Sequence, residues 1–174
     1  MPDRRPAKVR KRAFEFPILS TLVLAASAAA LLAMPAYAYD ENSASPINVD
    51  ASGLALKGHD PVAYFSASAP TLGKQQFSAQ HQGATYRFAS AANRDAFVAN
   101  PTRYAPAYGG FCAMGVALEK KLDVDPQAWR VVDGRLYLNV NKDVQKRWLD
   151  DVPGNLATAE KNWPRLKDRV PKTL

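Results

Sequence analysis

The segment from Tyr104 to Gly115 reads YAPAYGGFCAMG, and the rest of the domain is organised around it. It contains the single cysteine of the chain, Cys112, and one of its three methionines, Met114. Gly109 and Gly110 allow the backbone to turn sharply or to approach another group closely. A helix after this turn would hold Cys112 in its first turn, where free N–H groups and the helix dipole stabilise a thiolate. The alternative is that Cys112 is a small buried apolar residue behind a tight turn.

The composition is that of one globular domain preceded by a basic segment. The chain has 174 residues, of which 47% are hydrophobic, and a net charge of +7. Six of its 23 basic and two of its 16 acidic residues lie in residues 1–38, which leaves 17 and 14 and a charge of about +3. That balance is not typical of a nucleic-acid-binding protein, so we expect no nucleic-acid partner. One cysteine excludes an intramolecular disulfide and any site built from several cysteines.

Residues 1–38 have the three parts of an export signal peptide. A basic region ends at Arg12, and an apolar core follows at Ile18–Leu32. The small-x-small motif Ala36-Tyr37-Ala38 then predicts cleavage between Ala38 and Tyr39. The alternative is an uncleaved anchor, because the apolar run approaches the ~20 residues that span a bilayer. We therefore expect a periplasmic or secreted protein, by the general or the twin-arginine route, with no membrane span after cleavage.

The remainder divides into a leader and one domain. Residues 39–52 are polar and lack apolar periodicity, so we predict a flexible exposed leader, followed by a domain over residues 53–170. Apolar alternation around two tight-turn pairs, Gln82-Gly83 and Asp133-Gly134, predicts two β-hairpins. Their strands are expected at Phe77–His81, Ala84–Ala89, Arg130–Val132 and Leu136–Asn139.

A helical pattern follows each hairpin. Ser90 and Asn141 are suitable N-caps, and they predict helices at Ala91–Asn100 and Lys142–Asp150. A further helix is expected from Cys112 to about Lys120. Prolines are predicted to interrupt the regular structure, with a turn at Asp125-Pro126, a break at Pro153-Gly154 and a last helical segment, Leu156–Trp163, that ends before Pro164. The fold class is therefore α+β, a small domain of β-hairpins each followed by a helix.

Five motifs stand in order along residues 53–166: Asp60-Pro61-Val62, Gly83–Phe88, Phe97–Tyr104, Tyr108–Ala113 and Trp129–Gly134. In this order and spacing they resemble a YHS domain, and in particular the exported YHS-domain proteins of bacteria. The resemblance implies a hairpin-and-helix core like that of a treble-clef metal finger. It also implies metal handling, since many members are thought to bind metal and some occur in copper-transporting pumps.

The chain departs from the family pattern at the metal ligands. Metal-type YHS domains carry cysteines at three positions that correspond here to Ala63, Ala89 and Asn93. Neither alanine offers a ligand atom, and an asparagine amide is a poor ligand for soft metals. We therefore expect the usual metal site of the family to be absent. In the exported branch the cysteine equivalent to Cys112 is sometimes selenocysteine, which implies a chemical role for that position.

The remaining soft donors of the domain are one cysteine, one methionine and two histidines. Such sets suit Cu(I), and a copper ion is the cofactor that they would hold, with Cys112, Met114 and His81 as candidate ligands. His59 is a weaker candidate because relatives have tyrosine there. On a helix, residues two apart point about 200° away from each other, so Cys112 and Met114 could chelate together only in an extended segment or a turn.

Three functions remain open. The first is a metal-binding or redox-related module centred on Cys112, which the sequence favours over an enzyme. The second is a small thiol-dependent redox enzyme in which Cys112 is the nucleophile, and the third is a metal-free structural or interaction domain. A metal site needs two donors within reach, a redox thiol needs exposure and a nearby cation, and the third function needs Cys112 buried among apolar side chains.

The first testable prediction concerns processing. The exported protein is expected to begin at Tyr39, because the small-x-small motif ends at Ala38. N-terminal sequencing of the protein from the periplasm or the medium measures this directly. A mature chain that still begins upstream of Phe16 would contradict the prediction.

Overall fold

The chain folds into two antiparallel hairpins with helices after each of them, which confirms the α+β class. The computed structural model describes residues 39–174, so the predicted signal peptide and Ala38 lie outside the described residues. Strands β1 (Lys74–His81) and β2 (Ala84–Phe88) form one sheet, and β3 (Asp125–Val132) and β4 (Arg135–Asn139) form the other. The helices are α1 (Ala63–Ser66), α2 (Ala91–Ala99), α3 (Pro101–Tyr104), α4 (Ala113–Ala117), α5 (Lys142–Asp150) and α6 (Val152–Leu166). Among the described residues, no helix is both long enough and apolar enough to cross a bilayer.

The turns and helix caps confirm the local sequence signals. In both Gln82-Gly83 and Asp133-Gly134 the two central residues have positive φ, as a type I′ hairpin turn requires. The side chains of Ser90 and Asn141 each accept the N–H three residues further on, which begins α2 and α5. Short local patterns therefore position both hairpin-and-helix units.

The predicted proline interruptions are wrong at three places. Pro126 lies inside β3, where the register with β4 is irregular between Asp125 and Trp129, and a strand tolerates proline at such a point. Pro153 lies in the first turn of α6, where the missing N–H has no partner to lose. Pro164 lies inside α6 near its end, and helical bonding resumes with the Lys167 N–H to the Trp163 carbonyl at 2.9 Å.

The helix after Cys112 is shorter than expected. It ends at Ala117 instead of about Lys120, because Glu119 adopts a left-handed φ of 60°. The N–H of Lys120 then bonds back to the carbonyl of Gly115 at 2.8 Å, which satisfies one of the free carbonyls at the helix end.

The core consists of three apolar clusters. The first joins the inward face of β2 to Phe97 of α2, and the third packs Trp148 of α5 and Ala159 of α6 against the segment after Tyr108. The second cluster contains Cys112; its other buried members are Leu56, Tyr64, Val124, Leu136 and Leu138. Residues 136–139 of β4 are all buried, since both faces of this strand are covered.

Residues 39–52, the N-terminal strap, are packed against the domain, which differs from the expected exposed leader. Ile47 and Asn48 are buried, and Asn48 lies across the two glycines of the central segment. Its N–H donates to the Gly109 carbonyl at 2.8 Å, and its side-chain amide donates to the Gly110 carbonyl at 3.2 Å and to Asp123 at 3.2 Å. The sequence did not indicate this packing, because the strap is held mainly through polar backbone contacts, which produce no apolar periodicity.

Lys121 joins the strap to the end of the chain. Its side chain is 1% exposed, and its Nζ donates to the carbonyls of Ser45 (2.9 Å), Lys167 (2.9 Å) and Arg169 (2.7 Å). The ammonium also lies 4.7 Å from the centre of the Phe111 ring, a cation–π distance. Burial lowers the pKa of Lys121 to about 8, while the three carbonyls supply the acceptors that a buried ammonium needs.

The second testable prediction concerns the seat of the strap on Gly109. A Cβ at this position would lie 1.8 Å from the Pro46 carbonyl oxygen, and the φ of Gly109 is +60°. The substitution Gly109→Ala is expected to lower the free energy of unfolding by about 3 kcal/mol more than Gly83→Ala. Gly83 has a φ of +79° but no atom near its Cβ position, so it is the matched control for backbone strain alone. Chemical denaturation of both variants measures the difference, and equal losses would show that the strap does not lie against Gly109.

Candidate functional site

Cys112 is the N-cap of α4 and lies in the middle of the fold. Its N–H donates to the Leu122 carbonyl at 3.0 Å, and its backbone forms a bridge with Leu138 of β4. The residue has no exposed surface. The two glycines before it contact the strap instead of presenting N–H groups to the sulfur. The central segment therefore encloses the thiol.

The hydrogen bonds of the thiol are those of a protonated sulfur. Its S–H lies 3.6 Å from Oδ1 of Asn139, an acceptor, and the Gly115 N–H donates to the sulfur at 3.3 Å. Burial raises the pKa of Cys112, and the backbone N–H groups of Gly115, Val140 and Met114 oppose that rise without reversing it. Of the two interpretations of Cys112 drawn from the sequence, these contacts favour the buried residue over the activated thiolate, because removing the sulfur from water outweighs the helix N-terminus.

Asn139 completes the surroundings of the sulfur. This fully buried side chain accepts the Met114 N–H at 3.3 Å with the same oxygen that faces the thiol. Its amide nitrogen has no hydrogen-bond partner among the described residues. Sequence reasoning missed Asn139, since a lone asparagine at the end of a strand carries no motif.

The other candidate copper ligands, Met114, His81 and His59, each have different surroundings. Met114 is half-buried between the second and third clusters, and it is the backbone of Met114 that bonds to Asn139. His81 lies edge-on to Phe97, 5.9 Å between ring centres, beside the first cluster. His59 lies with Nδ1 3.3 Å from the Leu56 carbonyl, and burial lowers its pKa. Within residues 39–174, no three His, Cys, Asp or Glu side chains come together in a way that could hold a metal ion.

Asp60 forms a second polar centre, with no exposed surface. One carboxylate oxygen accepts the N–H groups of Val62 (2.8 Å) and Ala63 (3.3 Å). The other accepts the Ala89 N–H at 2.8 Å and the Asn93 side-chain amide at 2.6 Å. Three of these donors belong to the positions that the YHS pattern gives to cysteine ligands. The Asp60-Pro61 pair was visible in the sequence as a turn, but nothing local indicated its distant partners.

The third testable prediction concerns this carboxylate. Asp60→Asn is expected to lower the free energy of unfolding by about 3 kcal/mol, because an amide cannot accept all four N–H groups and leaves buried donors unpaired. Asp95→Asn is the matched control, since Asp95 is exposed and pairs only with the neighbouring Arg94. Thermal or chemical unfolding measures both variants. A loss for Asp60→Asn no larger than for the control would contradict a structural role of this centre.

Comparison of the chain with protein-family models, with curated proteins and with solved structures finds no match in any of the three. The resemblance to YHS domains accordingly stays a prediction that rests on the sequence motifs. What can be said of the site beyond that comes from its own geometry.

Proposed function

We propose that this protein is an exported, YHS-like interaction domain that is metal-free and non-catalytic, with Cys112 as part of its core. The observation that carries the proposal is that the Cys112 side chain is wholly buried. A buried thiol among apolar side chains is inert toward substrates, since neither base nor reagent can reach it. Export rests on the signal-like sequence of residues 1–38.

The surroundings of the sulfur argue against a nucleophile. A thiol nucleophile is activated by a nearby base or cation and is partly exposed. The polar contacts of the Cys112 sulfur are the Asn139 oxygen and backbone N–H groups, none of which is a base or a cation. Burial also raises the pKa of Cys112, which disfavours the thiolate.

The same surroundings argue against copper. A Cu(I) ion would need the thiolate and at least one further soft donor. His81 packs on Phe97 beside another cluster, so among the described residues the soft donor that packs against the cluster of Cys112 is Met114. Binding would also require loss of the S–H contact to Asn139. Copper binding is therefore the alternative result that the experiment below can detect.

The fourth testable prediction is that Cys112 of the folded protein resists alkylation and becomes fully reactive only in guanidinium chloride. Mass spectrometry of the iodoacetamide-treated protein measures the labelled fraction, and Cys112→Ser shows which label belongs to this residue. One equivalent of Cu(I) is expected to stay unbound in native mass spectra.

Two results would contradict the proposal. Rapid labelling of the folded protein, with a rate that follows a pKa well under ~8.5, would indicate a reactive thiol. Stoichiometric Cu(I) binding that is lost in both Cys112→Ser and Met114→Leu would indicate a copper site.

A further inference from the structure

An open groove borders the turns of both hairpins, and we call it the hairpin groove. It has a volume of about 630 Å³, and its borders include Gln82 of the first turn, Gly134 of the second, Arg103 of α3 and Trp163 of α6. A second depression of about 400 Å³ shares Gln82 and Trp163 with it, so the groove continues past the tryptophan. Two adjoining depressions suit an extended ligand better than a compact one.

The charges that line the hairpin groove leave it net positive. Arg103 and Arg135 line its larger part, and the adjoining depression adds one lysine and one carboxylate, Lys167 and Asp168. Arg103 is exposed and forms no salt bridge with another described residue. Arg135 is 53% exposed and shares its charge with Glu160 at 3.3 Å. The groove therefore attracts an anionic partner, chiefly through Arg103.

Two aromatic residues, Tyr108 and Trp163, line the groove. Tyr108 has a left-handed backbone (φ 53°, ψ 37°), a strained conformation that costs about 1–3 kcal/mol and that the surrounding packing must hold. Its hydroxyl donates to Glu160 at 3.2 Å, and its ring lies 5.8 Å from that of Trp163. Trp163 is half-buried, which leaves part of its ring open to a ligand. Arginine, tyrosine and tryptophan are the residues that most often dominate binding at protein interfaces.

We propose that the hairpin groove binds an acidic peptide segment of a partner protein. The inference rests on the proposed function as an interaction domain and names its surface. Acidic side chains of the segment pair with the guanidinium groups of Arg103 and Arg135, whose planar forks fit carboxylates. An apolar side chain of the segment covers Trp163. The polar groups of Gln82, Asn100 and Thr102 line the same groove and supply hydrogen bonds to a peptide backbone.

The experiment uses fluorescein-labelled heptapeptides and the full protein, with anisotropy as the readout. One peptide alternates glutamate with leucine, and its match has glutamine in place of glutamate. The glutamate peptide is expected to bind, and to bind more weakly as salt rises, because the attraction is between exposed charges. Arg103→Gln is expected to weaken binding about fivefold, the size of a good exposed ion pair. Arg147→Gln, at an exposed position of α5, is the matched control and is expected to change nothing.

Three results would overturn the proposal. They are equal binding of the glutamine peptide, an Arg103→Gln variant with unchanged affinity, and no binding of the glutamate peptide at low salt. Polygalacturonate and inorganic phosphate are tested as competitors. If either displaces the bound peptide at a lower concentration than unlabelled peptide does, the groove is assigned to another anion. The alkylation of Cys112 is a separate readout, so failure of the groove is distinguishable from failure of the proposal that Cys112 is an enclosed, metal-free core residue.

Discussion

The carboxylate of Asp60 is the contact on which the first hairpin and its helix depend. Buried charge is tolerated only where hydrogen bonds replace water, and this carboxylate receives four N–H groups from residues around α1, at the end of β2 and in α2. Ala63, Ala89 and Asn93 all donate to it. One side chain thus joins α1, the end of β2 and α2.

Lys121 is the corresponding buried group in the second half of the fold, where it joins distant segments as Asp60 does in the first. Its ammonium donates to three carbonyl oxygens, one in the strap and two just after α6, so the two ends of the described chain are held by one group. Nothing local in the sequence distinguishes it from Lys120, which is exposed. The difference arises from the left-handed Glu119, which ends α4 and turns the chain so that the second lysine points inward. Such partners become visible only when the tertiary structure is known.

The elements that were predicted well have their causes within a few residues. The turn pairs Gln82-Gly83 and Asp133-Gly134, together with the caps Ser90 and Asn141, act through neighbouring backbone groups, so the sequence sufficed for them. The elements that were missed depend on distant contacts. The strap is ordered by Gly109 and Lys121, more than 50 residues away, and the prolines of β3 and α6 occupy places where a missing N–H costs little.

The role of Cys112 turns on the same distinction between local and distant causes. The local sequence places Cys112 at the start of a helix, which favours a thiolate. Burial by β4 and the apolar cluster raises the pKa of Cys112 instead, and burial is the larger of the two effects. Gly109 and Gly110, which the sequence placed where they could activate the sulfur, instead receive the strap. With the thiol enclosed, the exposed polar groups of the domain lie elsewhere, and those beside the hairpin turns include Arg103. The strained backbone of Tyr108 lines the same groove and is held by the surrounding packing.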